Sequence, residues 1–338
     1  MSDLVQLQAK DYKSNQEVRW CPGCGDIAVL SAAQKALADL GIPKEKAVFV
    51  SGIGCSSRFP YYMGTYGFHG IHGRAAAIAT GLKVARPDLS VWQITGDGDA
   101  MAIGGNHFIH EIRRNIDINV ILFNNRIYGL TKGQFSPTSH LGLVTKSSPY
   151  GTVERPFRVG ELTIGAQGTF FARTIDSNIK MSTEVFIAAQ QHRGTSVVEV
   201  LQNCVIFNDG VHEEITAKET KEDNQILLEQ GKPMLFANGT KGLIVDGLKL
   251  KAVTIGENGI TLDKILVHNA EDIDPTLHLA LSNMELSMGL PVAFGVIRAA
   301  KTQTYDAATN AQIESVKATA KIKNLQQLLL SGNTWKIE

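Results

Sequence analysis

Residues 91–134, VWQITGDGDAMAIGGNHFIHEIRRNIDINVILFNNRIYGLTKGQ, constrain the fold more than any other part of the chain. An apolar run over 91–95 enters the tight turn Gly96-Asp97-Gly98-Asp99. Small residues then open a helical stretch, in which Ile103, Ile109 and Ile112 keep the spacing of a helix through Arg114. A second apolar run, 119–123, ends at Asn124-Asn125. Strand, turn, helix and strand at this length make one parallel βαβ unit. Such a unit delivers both polar turns to one sheet edge, where open α/β folds bind their ligands.

The two turns suit a diphosphate held through a divalent metal. Mg²⁺ takes oxygen ligands and usually keeps only one or two protein groups beside phosphate and water. Asp97 supplies charge, the Asn125 amide a neutral oxygen, and a backbone carbonyl near Ile127 completes the set. Gly96 and Gly98 let backbone N–H groups approach phosphate oxygens. A lone Gly-Asp-Gly is more often an ordinary loop with a capping Asp. The asparagines closing the next strand tip the balance toward a ligand site.

Alternating strands and helices run from helix 27–40 to strand 196–201, which predicts an α/β fold with a doubly wound, mostly parallel sheet. At 338 residues and 43% hydrophobic, the chain can bury a large core and still carry an appendage. The expected division is 1–215 for the binding domain and 216–338 for a C-terminal α+β appendage, structural or a subunit contact. There, 233–255 reads as a hairpin turning at Asn238-Gly239, 277–288 as a helix and 292–297 as a strand. Lys and Arg (33) balance Asp and Glu (33), so nothing points to nucleic acid or an acidic membrane as partner. The polar start MSDLVQLQAKDYKSNQ lacks the apolar core of a signal peptide, and no run approaches membrane-spanning length. A cytoplasmic protein is the expectation.

Four cysteines in a reducing compartment favour metal binding or plain burial over disulfides. Cys21 and Cys24 form a C-x-x-C turn, while Cys55 and Cys204 each follow a predicted strand. Parallel strands end on a common edge, so all four sulfurs can converge there. Zinc, an iron–sulfur cluster and, for the close pair alone, a redox dithiol all remain open. One close pair plus two distant singles is unusual for structural zinc and leans toward [4Fe–4S].

Five segments, WCPGCGD, SGIGCSS, IHGRA, GDGDAMAIGGNH and NVILFNNRIYGLTKGQFSPTS, occur in this order. Together with QNCVIFND they resemble the thiamine-diphosphate-binding β subunit of 2-oxoacid:ferredoxin oxidoreductases, the 2-oxoglutarate enzymes above all. The resemblance spans Trp20 to about His212. It implies that Cys21, Cys24, Cys55 and Cys204 hold a [4Fe–4S] cluster, and that Asp97, Asn125 and the Ile127 carbonyl hold Mg²⁺. It also places Ile53, Gly54, Cys55, Ser56, His72, Gly98, Asp99, Gly129 and Leu130 against the cofactor, and Lys132 near the substrate carboxylate. His72 and Arg74 sit at a helix start beside the expected diphosphate, and Leu130 suits a wedge under a V-shaped cofactor. His72 and Lys132 are the catalytic candidates. The implied partners are a 2-oxo acid, coenzyme A, ferredoxin and an α subunit. No Glu of this chain falls in a motif at the sheet edge, and the resemblance implies that the glutamate that activates thiamine lies on the α subunit. The rivals are a pyruvate or branched-chain sibling, a non-redox thiamine decarboxylase or carboligase with zinc, and a non-catalytic four-cysteine module.

Overall fold

The computed structural model describes residues 7–337. The chain opens with helix α1 (Asp26–Asp39), strand β1 (Ala47–Ser51), the single turn α2 (Phe59–Tyr62), β2 (Tyr66–His69) and α3 (Ala75–Ala85). Then β3 (Ser90–Gly96), α4 (Asp97–Met101), α5 (Gly105–Arg114) and β4 (Asn119–Asn124) form the βαβ unit read from the sequence. α6 (Val159–Gly165), β5 (Phe170–Ile175), α7 (Ile179–Gln191) and β6 (Ser196–Leu201) follow. The remainder holds α8 (Glu213–Thr216), α9 (Lys221–Asn224), β7 (Gln225–Leu228), β8 (Leu235–Phe236), β9 (Lys241–Asp246) and β10 (Lys249–Thr254). It ends with α10 (Thr276–Ser282), β11 (Val292–Ala299), α11 (Tyr305–Thr319) and α12 (Leu325–Leu329).

Eight strands form one sheet in the order β2-β1-β3-β4-β6-β5-β11-β7. The first six pair in parallel throughout, and β11 alone joins its neighbour β5 antiparallel. Every residue of β4, β5 and β6 is buried. Both faces are covered, so β4 reads as an apolar run over 120–123, while the buried charges of β5 and β6, Arg173 and Glu199, pair with each other. One layer packs Phe49, Trp92, Ile121 and Phe186 together with α1 and α7. The opposite layer packs Val50, Val91, Val120 and Leu122 with Phe108 and Ile112 of α5. The C-terminal ends of β1, β3, β4 and β6 therefore meet on one rim.

Three expectations differ from the structure. The helix after Asp97 is not continuous, because Ala102 breaks it with φ −90° and ψ −109°. A Cβ at Gly104 would lie 2.4 Å from the Asp99 carbonyl oxygen, so the chain must turn tightly there, and Ile103 is left exposed. The boundary at 215/216 does not divide the sheet, since β7 and β11 both belong to it. Without β11, β5 would end the sheet as an unpaired edge. The region 233–255 is a three-stranded meander instead of one hairpin. Its first turn does use Asn238-Gly239, both at positive φ, and a second turn follows at Gly247. Among the described residues no helix is long and apolar enough to cross a membrane.

Candidate active site

A cavity of about 510 Å³ opens at the ends of β1, β3 and β4. Its wall contains Asp97, Asn125 and Ile127 together with Cys55, Gly129 and Leu130. It also holds Ile53, Gly54, Ser56, His72, Gly98 and Asp99. Three carboxylates (Asp26, Asp97, Asp99) line it, and no Lys or Arg does.

Asp99 organises the wall. Its Oδ1 accepts from the Ile53 N–H at 3.0 Å and the Gly73 N–H at 2.7 Å, and lies 2.7 Å from His72 Nδ1. Its Oδ2 accepts from Thr95 Oγ1 at 2.7 Å. One side chain thus ties the loops after β1 and β2 to β3. Gly52 is required at this crossing, since a Cβ there would sit 1.9 Å from Asp99 Oδ2. A carboxylate partner places the imidazole hydrogen on Nδ1 and leaves Nε2 as the free ring nitrogen.

Asp97 is buried, and its Oδ2 accepts from Ser136 Oγ and Thr138 Oγ1, each at 2.5 Å. Burial pushes its carboxyl above the usual range, and the two hydroxyls and backbone N–H groups pull back against it. Gly98 is held against the Tyr128 ring, where a Cβ would lie 2.2 Å from the nearest ring carbon. The twin asparagines do different work. Asn125 faces the cavity with its Oδ1 accepting from the Ile127 N–H at 3.2 Å. Asn124 turns inward, donating to Glu199 at 2.7 Å and accepting from Thr138 at 2.9 Å. Glu199 in turn meets Arg173 at 2.7 Å in a buried pair.

The thiols gather beside this cavity. A Cβ on Gly129 would stand 3.5 Å from Cys204 Sγ and 3.7 Å from Cys55 Sγ, so two thiols distant in sequence converge on one point of the cavity wall. Gln202 Nε2 lies 3.5 Å from Cys24 Sγ, and Trp20 Nε1 donates to the Cys55 carbonyl at 2.7 Å. Burial, with Asp26 adding to it, pushes the Cys24 thiol well up and the Cys55 thiol up to about 11. Asp26 itself is pushed up to about 7 by burial, with Asp176 adding to it.

Besides Cys21, Cys24 and Cys204, two charged candidates fall outside the wall. Arg74 donates from Nη1 to the Gly73 and Ile103 carbonyls, which fastens a corner of the backbone and leaves it away from the cavity lining. Lys132 is exposed and left-handed, with φ 77°, and is not part of the lining either. Several residues lacked a sequence argument: Thr95, Ser136 and Thr138 as carboxylate partners, and Asp26 and Tyr128 in the wall. The hydroxyl-rich Ser136-Pro137-Thr138-Ser139 stretch was the signal available for two of them.

Comparison with known proteins follows the same lines. The domain family described as "Thiamine pyrophosphate enzyme, C-terminal TPP binding domain" matches residues 52–200. A 2-oxoglutarate oxidoreductase subunit KorB of Mycobacterium tuberculosis is 48% identical over 98% of this chain and 89% of its own. A 2-oxoglutarate synthase subunit KorB of Archaeoglobus fulgidus is 48% identical over 55% of this chain and 69% of its own. Among solved structures, a 2-oxoglutarate:ferredoxin oxidoreductase from Magnetococcus marinus, with 2-oxoglutarate, coenzyme A and succinyl-CoA bound, superposes with a TM-score of 0.77. That match is 30% identical and covers 98% of this chain and 97% of the other.

Proposed function

The chain belongs to the β-subunit family of the 2-oxoacid:ferredoxin oxidoreductases, and from that premise we propose that it is the thiamine-binding half of a 2-oxoglutarate-oxidising enzyme. The proposed reaction releases CO₂ from the 2-oxo acid and passes the acyl group to coenzyme A. A [4Fe–4S] cluster held by Cys21, Cys24, Cys55 and Cys204 would supply one-electron transfer toward ferredoxin for the two electrons released.

One observation carries the reading: a single cavity holds both the Asp97–Asn125–Ile127 wall and Gly129, which abuts Cys55 and Cys204. Asp97, the Asn125 amide and the Ile127 carbonyl offer the hard oxygen donors that Mg²⁺ takes beside a diphosphate. Gly98, unable to carry a side chain against Tyr128, leaves its backbone open to phosphate oxygens. Thiamine diphosphate, when bound, supplies the electron sink for decarboxylation. The chain's own part is to hold the diphosphate, to present His72 Nε2 with its tautomer set by Asp99, and to wall off water with Leu130 and Phe123.

Cys21, Cys24, Cys55 and Cys204 would hold the cluster, which supplies one-electron transfer. Zinc bonded to four thiolates at about 2.3 Å needs sulfurs within roughly 4 Å of one another. No group of three or more His, Cys, Asp or Glu among the described residues is spaced for a single metal ion. Cys55 and Cys204 both lie against Gly129, the convergence that a cluster held by one C-x-x-C pair and two single cysteines requires.

Among the described residues no glutamate lines the cavity, which supports an activating carboxylate on the α subunit. The test is anaerobic purification of the αβ complex followed by iron, sulfide and thiamine assay and by turnover of 2-oxoglutarate against pyruvate. About four irons and one thiamine diphosphate per chain are expected, with 2-oxoglutarate preferred. Stoichiometric zinc without sulfide would overturn the redox reading, and turnover by this chain alone would overturn the split site.

A further inference from the structure

Asp26 is the first residue of α1, set directly after the Cys21–Cys24 turn, and only 2% of it is exposed. It nevertheless lines the cavity. Its Oδ2 has no hydrogen-bond partner. No backbone N–H is taken up as a cap at this helix start, whose N-cap is Gly25 with no side-chain cap bond.

The charges around Asp26 are of its own sign. A Cβ on Gly25 would stand 1.8 Å from Asp176 Oδ2, so a second carboxylate crosses the residue before Asp26, and four thiolates would add more negative charge. The other two wall carboxylates have what they need: Asp99 has four donors, and Asp97 has two hydroxyls and the place of a metal ligand. A buried carboxylate without a cation or donors is strongly unfavourable, and natural sites retain one where a ligand completes it. With no Lys or Arg in the wall, the positive charge must arrive with the occupant.

We propose that Asp26 is the carboxylate this chain sets against the positively charged thiazolium ring, making it a specificity-determining residue for a cationic ring over a neutral one. This rests on thiamine diphosphate being the occupant of the cavity. The quaternary ring nitrogen is a permanent cation, so Asp26 meets a charge that no proton transfer can remove.

The test is calorimetric titration of the αβ complex with Mg²⁺ plus thiamine diphosphate, and separately with Mg²⁺ plus its 3-deaza analogue, whose ring is neutral and isosteric. Asp26→Asn is expected to weaken thiamine diphosphate about tenfold, the size of a charge-assisted contact. Affinity for the deaza analogue should stay within about twofold, and Asp26→Glu should keep the wild-type ratio. The ratio of the two affinities cancels any general loosening of the site. An equal change for both ligands, or none for either, would overturn the inference, and Asp26→Ser serves if the amide variant does not assemble. Failure of the wild-type complex to bind thiamine diphosphate would instead overturn the reading of the cavity, and the inference with it.

Discussion

The two sides of the cavity solve the problem of buried negative charge in opposite ways. Around Asp97 and Asp99 every carboxylate is met by donors from this chain: Ser136, Thr138, Thr95, His72 and two backbone N–H groups. Around Cys24, Cys55 and Asp26 such donors are few, and burial drives thiols and carboxyl toward their neutral forms. The first side is pre-organised and would receive its metal with little rearrangement. The second depends on positive charge from bound groups. A site that holds a diphosphate needs rigid oxygens. One that holds a redox cluster needs anionic ligands kept from outside cations.

That contrast can be broken in order of expected effect. Cys24→Ala removes a ligand from the second side and should abolish the brown chromophore and all ferredoxin reduction. Absorbance and iron content check this, and a fully loaded variant would separate Cys24 from the cluster. Asp97→Ala acts on the first side and should weaken Mg²⁺-dependent thiamine diphosphate binding by about a hundredfold or more, as calorimetry reads it, while iron content is unchanged. Loss of both together would mean that the two sides are one cooperative unit.

Thr138→Val keeps the shape but removes bonds to Asp97 and Asn124. Leaving such groups unpaired costs about 1–3 kcal/mol, so cofactor affinity should fall by roughly ten- to a hundredfold. Glu111 tests a carboxyl outside the cavity: it is buried against Gln93, with Oε2 unpartnered, and burial raises it well above the usual range. The folded state therefore binds its proton more tightly than the unfolded chain, so stability falls as pH rises from the ordinary carboxylate range through the raised value. His192 and His212, both held down to about 4 by burial, act in the opposite sense below their ordinary value near 6.5. Above the ordinary histidine value the carboxyl should dominate, and Glu111→Gln should flatten the decline in melting temperature. Smallest is Lys132→Ala: an exposed side chain outside the lining should change thiamine affinity less than twofold. A several-fold rise in the KM for 2-oxoglutarate in the αβ complex would place it at the substrate carboxylate.

The parallel βαβ unit and the grouping of Asp97, Asn125 and Ile127 in one wall were legible because they are local. A strand ending, a glycine turn and the next strand ending must share an edge whatever the rest of the chain does. The convergence of Cys55 and Cys204 was legible for the same reason. The loop partners of Asp97 were not, since Ser136 and Thr138 lie 39 and 41 residues away and leave no periodic mark. Arg74 shows the opposite limit: a cation at a helix start looks like a phosphate ligand until the Ile103 carbonyl is seen to hold it. β11 was read as a strand but not as part of the main sheet, because pairing partners so distant are fixed by edge exposure and not by composition.

The sequence by itself determined the family, the order of the parallel strands with their polar turns, and the residue types available at the rim. Tertiary structure decided which of those residues are satisfied and which are left wanting. Asp26, Asp97 and Asp99 are three aspartates of similar local appearance, each at a glycine-flanked helix start or turn. Only the packing of distant loops gives Asp99 four donors, gives Asp97 two hydroxyls and leaves Asp26 facing like charge. Hydrogen-bond satisfaction is a property of everything that surrounds a buried group, and a local stretch of sequence contains only part of it.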